Sequence, residues 1–105
     1  MSQDKAKLEE LRSATVGSFL RARRDKAGLT QSQVATALGY ETPQFVSNWE
    51  RGVSLPPLGT LPQLARLLKV ADREFIAVMT RYQDEVAKLE TKRLSETFRK
   101  SRAGT

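Results

Sequence analysis

The chain of 105 residues contains no cysteine and no histidine. Without cysteine there is no disulfide framework and no thiolate zinc or iron–sulfur site. Without histidine there is no imidazole base and no histidine-ligated metal. Only carboxylates, lysines and hydroxyls remain for catalysis, so the sequence reads as a non-enzyme without cofactor or metal. Long hydrophobic runs are also missing. No apolar stretch approaches the ~20 residues that span a bilayer. Residues 1–11 carry Asp4, Glu9 and Glu10 and no apolar block, so they do not read as a signal peptide. A soluble protein of the cell interior, with no membrane partner, is the expectation. The length suits one small domain with an appendage.

Charge is what the chain has in quantity. Charged residues make up 29% of it, and the formal net charge is +6. The excess is unevenly placed. Residues 1–15 are neutral, 16–71 carry +4, 72–87 carry −2 and 88–105 carry +4. A basic small protein suits a polyanionic partner, but charge alone does not separate DNA, RNA and anionic membrane. A surface kept soluble by lysine and arginine accounts for the same numbers.

Strand patterns are absent too: nothing alternates over several residues, and no Asn-Gly or Asp-Gly hairpin turn occurs. Helical spacing is everywhere. Val16, Phe19, Leu20 and Ala27 form an apolar stripe that predicts a helix over 15–27, stopped by Gly28. Leu8 and Leu11 allow a frayed turn or two upstream. Thr30 and Gln33 have capping-box spacing, opening a helix that buries Val34, Ala35 and Leu38 and stops at Gly39. Thr42 caps the next helix, with Pro43 at its first position, Val46 and Trp49 inward and Gly52 at its end. The connection between these two helices is three residues, which makes a sharp corner. Residues 53–60, with Pro56, Pro57 and Gly59, read as a loop. A helix over 61–68 follows, with Leu61, Leu64, Ala65 and Leu68 inward. Asp72 then caps a segment free of proline and glycine until Gly104. If helical to Arg102 it extends about 45 Å.

Two segments carry functional expectations of their own. On a wheel of the 42–51 helix, Val46, Trp49 and Glu50 share one side and Gln44, Ser47, Asn48 and Arg51 the other. Glutamine and asparagine pair bidentately with adenine, and arginine grips guanine or phosphate. The four together point to base and phosphate contact, although Gln44 alone is equally an ordinary surface residue. In the long last segment, Phe75, Met79, Tyr82, Val86 and Leu89 are spaced four, three, four, three, a heptad seam that breaks at Arg93 and Glu96. Phe75, Ile76 and Met79 read as closing the domain core. Tyr82, Val86 and Leu89 lie further along and read as a dimerisation seam. Leu94 and Phe98 fall on a shifted stripe. The basic tail over 88–102 suits either phosphate contact or a solvated helix end.

Taken in order, several stretches resemble the Cro/repressor (XRE-like) helix-turn-helix family. They are Val16-Gly17-Ser18-Phe19-Leu20-Arg21, Arg24, Gly28-Leu29-Thr30-Gln31, Val34-Ala35 and Leu38-Gly39, then residues 43–52. Leu61, Leu64-Ala65, Leu68 and Val70 fit the family's last two helices. The resemblance covers about residues 16–75 and implies an all-α, compact five-helix domain with an extended C-terminal helix. It divides the chain into an N-terminal extension (1–14), a helix-turn-helix domain (15–71) and a long C-terminal helix (72–105).

By that resemblance the protein is a sequence-specific regulator of transcription, a dimeric repressor in the cytoplasm, associated with the nucleoid. Its partner would be double-stranded DNA carrying a palindromic operator. Gln44, Ser47 and Asn48 would read bases. Gln31, Thr42, Arg51, Arg21 and Arg23 would hold phosphates, and Arg24 and Glu50 would form a structural salt bridge. Two other readings share the fold. One is an antitoxin whose arm binds a toxin, and the other a protein-interaction module that no longer binds DNA. Three departures from the family stand out. Pro43 replaces a position that often reads bases, the turn over 39–42 is a residue longer than in compact phage repressors, and the loop over 53–60 has no basic residue.

Overall fold

The computed structural model describes residues 2–104; Met1 and Thr105, at the outer bounds of the two flanking segments, lie outside it. The described residues are all-α. The helices are α1 (Ser2–Arg12), α2 (Ser18–Lys26), α3 (Gln31–Ala37), α4 (Gln44–Glu50), α5 (Leu61–Leu67) and α6 (Asp72–Ala103). A π-turn at Ser13–Gly17 joins α1 to α2 without leaving helical dihedrals, and a 3-10 turn at Leu58–Thr60 precedes α5. The frayed turn expected upstream is therefore a formed helix.

Local chemistry accounts for the short helices. At α3, the Gln33 backbone N–H donates to Thr30 Oγ1 (3.0 Å), and the Thr30 N–H donates to Gln33 Oε1 (2.8 Å). This is the reciprocal cap the spacing predicts. Helix α4 begins one residue later than expected, at Gln44, with Pro43 as its N-cap. Pro43 still fits, because it has no N–H to leave unpaired. The Thr42 hydroxyl accepts from the Gln44 N–H at 3.4 Å. Asp72 is the first residue of α6 rather than its cap; extended Ala71 holds that place.

The core is built where α2, α3, α4 and α5 meet the start of α6. Val16, Leu20, Val34, Val46, Trp49, Leu64, Leu68 and Phe75 are buried in it. Phe19 meets Phe75 edge to face, with ring centroids 5.6 Å apart, which ties α2 to α6. Close backbone approach fixes where α4 ends. A Cβ on Gly17 would collide with the Glu50 carbonyl. Gly52 has φ +78° and lies against the Glu9 carbonyl and Ser13. Arg12 completes that junction: its Nε donates to the Gly52 carbonyl at 2.7 Å.

The dimerisation seam is placed differently from its reading. Tyr82 is buried, 7% exposed, within the core of its own chain. Val86 is half-buried against the same core, and Leu89 lines a groove with Leu8 of α1. Arg93 pairs with Asp4 of α1 at 3.4 Å. The residues read as lying beyond the core are reached because α1 lengthens that core. Ile76 departs the other way: expected inside, it is 63% exposed.

Candidate nucleic-acid interface

Helices α3 and α4 meet at a corner over 38–43, six residues where the sequence spacing predicts three. Tyr40, in that corner, meets Phe45 at a tilt (4.9 Å) and Trp49 edge to face (5.9 Å). The three rings fix how α4 leaves the turn. Phe45 remains half exposed at the edge of the α4 surface.

Below that surface lies the ion pair that sets its angle. Arg24 donates to Glu50 through Nε (2.6 Å) and Nη2 (3.0 Å), a bidentate fork. Arg24 Nη1 donates to the Leu29 carbonyl at 2.9 Å. Glu50 also accepts from Gln31 Nε2 at 3.0 Å. The Glu50 side chain is only 5% exposed. Burying such a charge is tolerable because every strong direction is hydrogen-bonded. The bond to Glu50 raises the Arg24 pKa above its ordinary value, against the lowering effect of burial. The fork and the Gln31 bond clamp α2, the start of α3 and the end of α4 together.

The outer side of α4 carries a second, exposed network. Asn48 Oδ1 accepts from Gln44 Nε2 (2.9 Å) and from Arg51 Nη2 (2.7 Å). Arg51 Nε donates to Ser47 Oγ at 3.2 Å. The four residues grouped by the wheel are thus bonded to one another along one face. Asn48 is the hub. Its oxygen is satisfied twice, while its amide N–H₂ and the Gln44 Oε1 take no part in these bonds.

Other expected contact residues are distributed differently. Gln31 stands at the start of α3, with its amide bonded to Glu50. Thr42 and Arg21 are exposed. Arg23 is half-buried and pairs with Glu74 of α6 at 3.6 Å, whereas Arg24 pairs with Glu50 of α4. Sequence reasoning missed Arg12, whose guanidinium braces the end of α4 from a different helix. Its partners are backbone carbonyls 40 residues away, which no local pattern marks.

Two short helices at a tight corner, the second showing a polar face and held from behind by a buried ion pair, define a helix-turn-helix unit. The helix-turn-helix family model matches residues 20–75, and the chain belongs to that family, in its XRE-type branch. It is a helix-turn-helix DNA-binding protein. A relative from Sinorhizobium fredii (strain NBRC 101917 / NGR234) is 37% identical over 67 residues, covering 64% of this chain and 84% of its own. That protein is named uncharacterized HTH-type transcriptional regulator y4dJ. No solved structure matches the chain. Among the described residues, no helix is long and apolar enough to cross a membrane.

Proposed function

We propose that the protein regulates transcription by sequence-specific binding to double-stranded DNA, with α4 in the major groove, acting as a repressor by occupying its operator. The bonded face Gln44–Ser47–Asn48–Arg51 carries this reading. An amide reads adenine by accepting from N6 and donating to N7. Gln44 keeps Oε1 and its second Nε2 hydrogen for that pairing. Asn48, its oxygen used twice, holds Gln44 and Arg51 in place and offers its own N–H₂ to a base acceptor. Ser47 lies between them and offers a hydroxyl. Arg51 retains N–H groups for guanine or phosphate.

Phosphate affinity comes from around this face. Gln31 has a second amide hydrogen at a helix N-terminus, where backbone N–H groups favour an anion. Thr42, Arg21 and Arg51 are exposed and supply further donors. Arg23 is held by Glu74 and contributes least. The protein's place is with the nucleoid, and two copies would read a palindrome.

Selection of bound sequences from random duplex DNA tests the proposal. A defined motif is the expected result, lost in the Gln44→Ala, Asn48→Ala double variant. Enrichment of no motif, or a motif unchanged in that variant, rules out base reading by α4.

A further inference from the structure

Helix α6 has two faces. One packs on the domain through Phe75, Tyr82 and Val86. The other is exposed and uncharged from residue 76 to residue 98. At about 100° per residue, Ile76, Thr80, Ala87, Thr91, Leu94 and Phe98 fall within about 60° of arc. Gln83 lies at its edge. Apart from the packed face, the rest of α6 is densely charged, so an uncharged strip of this length stands out. Ile76 is 63% exposed, and Leu94 and Phe98 are each 60% exposed. The strip recurs at about 3.6 residues per turn, so it stays on one side of a straight helix.

We propose that this face is the contact with a second copy of the chain, with the two α6 helices antiparallel and crossing at Ala87. The residue order carries the inference. Placing a dyad at Ala87 sets Ile76 opposite Phe98 of the second copy and Thr80 opposite Leu94. Alanine at the centre lets the helices approach. Beside Ile76, a groove of about 430 Å³ runs between α5 and α6, lined by Leu58, Leu61 and Met79. Leu58, 84% exposed, lies at this groove. The groove sits where the second copy's Leu94 and Phe98 arrive. Those two residues lie beyond the reach of their own domain.

Charge agrees with this order. Asp84 and Lys88 lie on one flank of the strip. The dyad brings Asp84 of each copy alongside Lys88 of the other, which also pairs with Glu85 of its own helix at 3.2 Å.

The arrangement also bears on the duplex. The face carrying the domain lies about 130° round α6 from the strip. A dyad perpendicular to both helices keeps the two domains on the same side. The two Ile76 positions are then about 33 Å apart along the helices. Successive half-sites on one face of DNA are about 34 Å apart.

The interface rests on the dimeric part of the proposed function, not on base reading, and its test uses no DNA. Light scattering of the full chain at up to about 100 µM is expected to give twice the chain's 11.8 kDa mass. The Leu94→Glu, Phe98→Glu variant is expected to give 11.8 kDa with unchanged helical circular dichroism, since both positions are exposed. A monomeric parent chain or a dimeric variant overturns the proposal. The absence of native cysteine permits a test of direction. Under oxidation, Leu94→Cys is expected to cross-link with Thr80→Cys in a mixture but not with itself. Self-linking of Leu94→Cys overturns the antiparallel order. A chain that dimerises this way but selects no DNA motif keeps this interface and loses only the base-reading proposal.

Discussion

The α2–α5 domain and the α1–α6 arm are held together by different means. In the domain, short helices are stopped by caps and glycines, and a buried ion pair clamps three of them. In the arm, two longer helices lie side by side, with Leu8 of α1 beside Val86 and Leu89 of α6 and an exposed Arg93–Asp4 pair. The domain is therefore fixed by directional contacts and the arm mainly by apolar coverage. A directional fold presents a surface at a set angle, as reading a groove requires. Apolar coverage leaves the far side of α6 available for a second helix.

The largest effect is expected at the clamp. Glu50→Ala leaves Arg24 half-buried without its fork and releases Gln31. The expected loss is about 3–5 kcal/mol of unfolding free energy by urea denaturation. Arg24→Met should lose a similar amount, and the double variant much less than the sum. Additive losses would show that the pair does not act as a unit, and the contrast with the arm would disappear.

The arm is tested next, in the Leu94→Glu, Phe98→Glu background so that assembly does not contribute. Tyr82→Ala should destabilise by about 3 kcal/mol, because a buried ring is replaced by a cavity. Ser95→Ala, beyond the domain, should change stability by less than about 0.5 kcal/mol. Equal small effects would mean that Tyr82 does not belong to the domain core.

The same division decides what the sequence discloses. Thr30 with Gln33, and the glycines at 28 and 39, act within a few residues of themselves, so spacing reveals them. The polar face of α4 is legible for the same reason: four residues on one helix share one side. What spacing does not reveal is which helix covers which. Tyr82, Val86 and Leu89 form a valid heptad seam, yet the covering helix is α1, some 80 residues earlier in the chain. Its polar sequence gives little periodic pattern. Arg23 and Arg24 are adjacent in the sequence, but one turns to Glu74 and the other to Glu50. Only the packing of α6 separates a structural arginine from an exposed one.

On the reading surface, Gln44→Ala should weaken binding to the selected motif by about 1–3 kcal/mol and relax preference at one base position. Its unfolding free energy should be nearly unchanged, since Gln44 is exposed. Arg51→Ala should weaken binding to all duplexes and reduce the salt slope by about one. Both readouts come from fluorescence anisotropy titrations at several salt concentrations. A Gln44 variant that lost affinity uniformly would move that residue from base reading to backbone contact.

The smallest expected effect lies at two helix ends, one inside the domain and one where the domain meets α6. Helix α2 ends at Gly28, with φ +73°, while α5 ends at Lys69, with φ +58°. Both close their helices by the same backbone pattern: the Leu29 N–H donates to the Arg24 carbonyl (3.1 Å), and the Val70 N–H to the Ala65 carbonyl (2.9 Å). Glycine accepts this conformation freely, whereas a side chain is strained there by ~1–2 kcal/mol. Lys69→Gly should relieve that strain but add backbone freedom to the unfolded chain, leaving a net gain of about 0.5–1 kcal/mol. Gly28→Ala introduces the strain without a collision, since nothing lies within 4 Å of the added carbon. It should lose about 1 kcal/mol. The paired substitutions thus measure one backbone term in both directions by thermal and urea unfolding. A Lys69→Gly variant less stable than its parent would mean that the lysine side chain contributes more at this joint than its left-handed backbone takes away.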